Sequence, residues 1–190
     1  DEYLREELRK VPAEEYQDYV IDVASLWADY NYPEKAMLWM ARATQEDSPE
    51  FKELMGHTLF GLGKYKDSQR VFNELIDRHP FSTVYWNALA SAQYMEEDYS
   101  AAVTSSEYAI AINPADPDGL LTKASSLFRM GNYEQAADYF GRYSKSTPGG
   151  ADPYALLQQG ACMANMKRGR EALPILQQAA MACEPDSELL

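Results

Sequence analysis

Residues 83–116 read TVYWNALASAQYMEEDYSAAVTSSEYAIAINPAD. Trp86, Leu89, Ala90 and the pair Gln93 and Tyr94 recur at three- and four-residue spacing, the period that places side chains on one face of an α-helix. Glu96, Glu97 and Asp98 break the apolar pattern. Tyr99, Ala102, Val103, Ser106, Ala109 and Ile110 then resume it until Pro114, where a helix cannot continue. The stretch therefore predicts helix, turn, helix, with each helix about 13 residues long.

The same unit repeats on either side. Pro80, Pro114 and Pro148 are 34 residues apart, as are Tyr65, Tyr99 and Tyr133. Extending the frame gives five units, 17–48, 49–82, 83–116, 117–150 and 153–186, with an insertion before the last. Their eighth positions are Ala24, Gly56, Ala90, Ala124 and Gly160, and their twentieth are Ala36, Ser68, Ala102, Ala136 and Ala172. Gly, Ala and Ser make up about a quarter of the chain, so ten small residues in ten places is not an effect of composition. Two helices can approach closely only where both carry a small side chain at the crossing. Gly61 and Gly63 in the second unit and Gly131 in the fourth supply the left-handed conformation that closes a helix. Gly61-Leu62-Gly63-Lys64 is read as such a turn and not as a phosphate loop, because Thr58 stands where the first glycine of that motif is needed.

These residues resemble the tetratricopeptide repeat, whose signature runs Trp-x2-Leu-Gly-x2-Tyr, then Ala-x3-Phe, then Pro. Trp86, Leu89, Ala102, Ala109 and Pro114 match in the third unit, as do Gly56, Gly63, Tyr65, Phe72 and Pro80 in the second. Gly131, Tyr133, Ala136, Phe140 and Pro148 match in the fourth. The end units depart: Pro33 and Gly169 replace the second-helix tyrosine, and Pro174 falls inside the last helix, where it is expected to weaken or kink it. The resemblance implies an all-α fold, a right-handed superhelical solenoid of antiparallel helix pairs. Residues 1–16, with Leu4, Leu8 and Val11, read as a capping helix or the tail of an upstream repeat, and 187–190 as the start of a truncated or capping helix.

Seventeen Lys and Arg against thirty Asp and Glu leave a charge of −13, a field that repels nucleic acid and anionic membrane surfaces. No apolar run approaches the roughly 20 residues a membrane span needs. The reading is of a soluble protein, with the cytoplasm favoured and the periplasm left open. Two cysteines, Cys162 and Cys183, are too few for a disulfide framework or a four-Cys zinc site. Met130, Met163 and Met166 read as core fillers. His57 and His79 are the only histidines, neither next to a nucleophile, so no catalytic set, cofactor or metal is expected.

Function is expected on the first helices. In the family, positions 2, 5, 9, 12 and 13 of each unit line a concave groove, which here gives the aromatic row Phe60, Tyr94 and Phe128. It also gives His57, Ser91 and Ser125 at position 9, and Glu53 and Asn87 at position 5, with Asp22 beside them. Lys and Arg are scarce at these places, Arg129 excepted, so the carboxylate clamp of the chaperone-binding members is not expected. The resemblance implies a non-catalytic scaffold binding a neutral to basic protein or peptide with apolar anchors. The alternatives are a secretion-type chaperone holding a partner protein and a regulatory module of a larger chain.

Overall fold

A computed structural model gives the structure of residues 11–12, 15–147 and 152–183. The segments 1–10 and 184–190, on which most of the two terminal expectations fall, lie outside the described residues. Among those described there are ten helices and no strand. They fall into two compact units, residues 1–80 and 81–190.

The first unit holds α1 (Tyr16–Asp29), α2 (Pro33–Met40), α3 (Pro49–Gly61) and α4 (Tyr65–Arg78). Trp39, Met40, Phe51, Leu54 and Ala24 form its core, with Tyr19, Val23 and Trp27 packed on it. Pro33 and Pro49 each begin a helix, where the missing N–H leaves no bond unmade. α2 is short, and buried Gln17 holds the strand of chain after it. Its Oε1 accepts from the Thr44 and Gln45 backbone N–H groups at 2.7 and 3.1 Å, and its Nε2 donates to Gln45 O at 3.2 Å.

The second unit holds α5 (Thr83–Met95), α6 (Tyr99–Ile112), α7 (Pro117–Arg129), α8 (Tyr133–Ser146), α9 (Pro153–Asn165) and α10 (Gly169–Cys183). Ala124, Leu127, Ala136, Ala137, Phe140, Ala155 and Cys162 form its main core cluster. Asp116 caps α7 by accepting from Gly119 N at 2.8 Å, and Asp98 and Asp152 cap α6 and α9 in the same way. Pro174 does not break the last helix: α10 runs through it as one element of 15 residues.

All ten small positions are buried. A Cβ on Gly56 would stand 2.7 Å from Phe72 Cζ, and one on Gly160 would meet the Leu176 side chain. The turns hold the chief departure from the sequence reading. In every pair the residue with positive φ is the fifteenth of its unit: Asn31 (60°), Gly63 (70°), Glu97 (63°), Gly131 (80°) and Lys167 (61°). The next N–H bonds back to the eleventh residue's carbonyl each time, as from Asp98 to Gln93 at 3.0 Å and from Arg168 to Met163 at 2.9 Å. Backbone closure of this kind is strong enough to hold a non-glycine residue there, so glycine marks only two of the five turns.

Candidate functional site

In each unit the exposed surface of the first helices was the expected site, and its geometry is set by the turn that follows. Phe60 meets Tyr65 edge to face at 5.3 Å, Tyr94 meets Tyr99 at 5.4 Å, and Phe128 meets Tyr133 at 5.5 Å. Trp27 and Tyr32 make the same corner one residue earlier, at 5.8 Å. Phe60, Tyr94 and Phe128 are thus each half-buried, one edge held by the tyrosine that opens the next helix. Sequence reasoning found both the row and the tyrosine period without joining them; their constant five-residue offset is the signal that would have done so.

Two of these corners also hold a cation. Lys35 Nζ lies 4.1 Å from the Trp27 ring centre and 4.6 Å from that of Tyr32. Arg129, from the following repeat, stacks 4.9 Å over Tyr99, with the Tyr94 hydroxyl near enough to favour its charge and Glu97 at 4.0 Å. The rings' negative faces attract both cations.

The first unit's face is acidic. Asp22, Asp18 and Glu50 are exposed and Glu53 is half-buried. His57 is on the same face, its ring edge to face with Phe72 at 5.1 Å. The residue keeps an exposed surface, yet desolvation of its packed side lowers the imidazole pKa below the ordinary value, and Glu53 one turn away pulls in the opposite direction. The unit's ion-paired cations lie elsewhere: Lys52 joins Asp47 and Glu74 at 2.8 Å each, and Arg78 pairs with Asp47 at 3.0 Å.

In the second unit Ser91 and Ser125 are half-buried beside Tyr94 and Phe128 on α5 and α7. Asn87 is tied into the fold: its Nδ2 donates to Asp116 Oδ2 at 2.7 Å, the carboxylate that caps α7, while its Oδ1 is buried without a partner. Tyr154 and Leu157, one turn apart on α9, are half exposed; Leu157 falls at the fifth position of its unit, a groove position of the sequence reading, whereas Tyr154 was not singled out by sequence. Lys123 is buried, donating to Glu107 and to the Tyr139 hydroxyl at 2.7 Å each. Cys162 is fully buried and its thiol is pushed up to about 11. Among the described residues no group of His, Cys, Asp or Glu is arranged to hold a metal, and no helix is long and apolar enough to cross a membrane.

Sequence models described as tetratricopeptide repeat match residues 54–118 and 93–160, together more than half of the chain. The chain belongs to the tetratricopeptide repeat family. Its fold is similar to that of a MamA from Desulfovibrio magneticus RS-1, at 15% identity and a TM-score of 0.77 over 87% of this chain and 93% of that one. MamA of MSR-1 aligns at 16% identity and 0.73, over 88% and 96%. A further MamA crystal structure aligns at 18% and 0.76, over 88% and 92%. No curated protein matches the sequence. Tetratricopeptide repeats serve protein–protein interaction, and the all-helical paired architecture agrees with that role.

Proposed function

We propose that the chain is a non-catalytic scaffold whose first-helix faces bind an extended or helical segment of a protein partner, neutral to basic and carrying apolar anchors. The observation that supports this reading is a corner repeated within each unit: Phe60 in the first, and Tyr94 and Phe128 in the second, are each half-buried and each preordered by a tyrosine at nearly the same distance. A ring already fixed by its neighbour loses little conformational freedom when a ligand covers its open edge, so its burial is retained as affinity. Asp18, Asp22, Glu50 and Glu53 add a field that favours cationic segments over acidic ones.

Selection from a random displayed-peptide library tests the reading. The native chain is expected to enrich peptides combining aromatic or aliphatic residues with Lys or Arg. The Phe60→Ala, Tyr94→Ala, Phe128→Ala triple variant, checked for retained helicity, is expected to enrich none of them. Enrichment of the same peptides by the triple variant would place the ligand on another surface.

A further inference from the structure

The repeat frame sets two aromatic corners of the second unit side by side for comparison. At Tyr94 and Tyr99 the guanidinium of Arg129 covers the corner, and Arg129 is the thirteenth residue of the following repeat. The thirteenth residue of the repeat after that is Asn165. It is too short to reach back as Arg129 does, and its Nδ2 donates instead to Ala161 O at 2.8 Å on its own helix. Among the described residues no Lys or Arg stands over Tyr133, while a cation does stand over Tyr99.

An open cavity of about 340 Å³ lies at this uncovered corner, lined by Gly131, Asn132, Tyr133, Glu134, Gln135 and Met166. Its chemistry is that of a cation site: a tyrosine ring, a thioether and a carboxylate, with no positive group in the lining. Arg168 senses Glu134 but is committed to Glu171, with Nε 2.7 Å from Oε1 and a second bond from Nη2 to Oε2. Glu134 is therefore left as the counter-charge of the cavity.

We propose that this cavity, between the Tyr133 turn and Met166, takes an arginine side chain of the protein partner, in the place that Arg129 fills one repeat earlier. The inference rests on the scaffold reading above and names one anchor of the partner. It differs from the Arg129 corner in its polar groups: Phe128 offers no hydroxyl and Gly131 stands where Glu97 does, so Glu134 is the carboxylate available to the guanidinium. Arginine is favoured over lysine because its planar, weakly hydrated guanidinium stacks on a ring while its edge meets a carboxylate.

The site can be tested without the partner, by NMR titration of the full chain with N-acetyl-argininamide at low salt, using the neutral citrulline analogue as control. Saturable shifts are expected at Asn132, Tyr133, Glu134 and the Met166 methyl with the arginine probe and not with citrulline. Glu134→Gln is expected to weaken the response roughly threefold to tenfold. Asn165→Arg, which restores the residue found at the covered corner, is expected to abolish it while leaving the spectrum otherwise folded. Equal response to citrulline, a native response in Asn165→Arg, or no saturable response up to roughly 50 mM, where even a Kd well above millimolar is visible, would each overturn the proposal. Because the probe does not engage Phe60 or Tyr94, failure here with success of the library selection removes the cavity and leaves the scaffold reading standing.

Discussion

In residues 15–80 the first-helix positions hold Asp18, Asp22, Asp29, Glu50 and Glu53, with no Lys or Arg among positions 2, 5, 6, 9, 12 and 13. In residues 81–183 the same positions hold Val84, Met95, Leu121, Tyr154 and Leu157, and their charges are Asp118 and Arg129. The packing positions do not diverge in this way, since the eighth and twentieth residues are small and buried in both units. Helix pairing fixes one side of each first helix and leaves the other free, so the two surfaces can differ in charge while the pairs stay alike. Cations are placed differently too: Lys35 comes from its own repeat, whereas Arg129 reaches back from the next one.

The largest expected effects test the shared packing. Gly56→Ala should destabilise by about 2–3 kcal/mol, because the new methyl meets the ring of Phe72, which is wholly buried and has nowhere to move. Its counterpart Gly160→Ala meets Leu176, a partly exposed aliphatic side chain that can change rotamer, and alanine gains about 1 kcal/mol of helix propensity. It should cost about 1 kcal/mol or less. Urea denaturation of both variants decides this, and equal losses would mean that the two crossings are equally rigid. Ala136→Leu, where both neighbouring helices crowd the site, should cost roughly 1–3 kcal/mol.

These packing positions were legible in sequence because a crossing admits few residue types, so Ala24, Gly56 and their equivalents leave a periodic trace. The aromatic row was legible for the same reason. The turns were not, because backbone hydrogen bonds close them and tolerate Asn31, Glu97 and Lys167 as well as glycine. Nor was the tie between Asn87 and Asp116 foreseeable: a contact between residues 29 apart leaves no periodic mark. Met130 shows the limit of reading burial from hydrophobicity alone, for it is 46% exposed, and Met166 lines a cavity where core was expected.

The helix caps of the two units also differ in what they hold. Asp116→Ala in the second unit removes the α7 cap and leaves the Asn87 amide without its acceptor, so about 1–3 kcal/mol should be lost. Ser48→Ala in the first unit removes only a bond to Phe51 N at 3.2 Å and should cost about 1 kcal/mol. The double variant Asn87→Leu, Asp116→Ala separates the two contributions by thermal denaturation.

Acid should act on the first unit alone among histidine effects, since both histidines lie in it. His57 has a folded pKa below its ordinary value, so the unfolded chain takes up a proton first as pH falls. Its contribution to stability is complete above the unfolded pKa of about 6.5 and is lost as pH falls from there through the lower folded value. His57→Gln should flatten stability between about pH 7 and 5, measured as the urea midpoint at each pH. A midpoint slope unchanged by the substitution would mean that carboxylates carry the acid response.

The smallest effect is also the sharpest test of the turns. Lys167 adopts φ 61° where Gly63 and Gly131 stand in other repeats, and a side chain there costs about 1 kcal/mol of strain. Lys167→Gly should relieve it, although the freer unfolded chain takes part of the gain back, leaving a rise of about 0.5 kcal/mol. Glu97→Gly relieves the same strain at φ 63° but also removes the carboxylate 4.0 Å from Arg129. The two variants share the backbone change, so the difference between them isolates the support that Glu97 gives to Arg129 over Tyr99. If Glu97→Gly gains less than Lys167→Gly at low salt and the gap closes as salt is added, the carboxylate helps to hold the guanidinium on the ring. An equal gain for both at every salt concentration would leave Arg129 held by the two tyrosines alone, and the cavity at Tyr133 would then need its own carboxylate less than its ring.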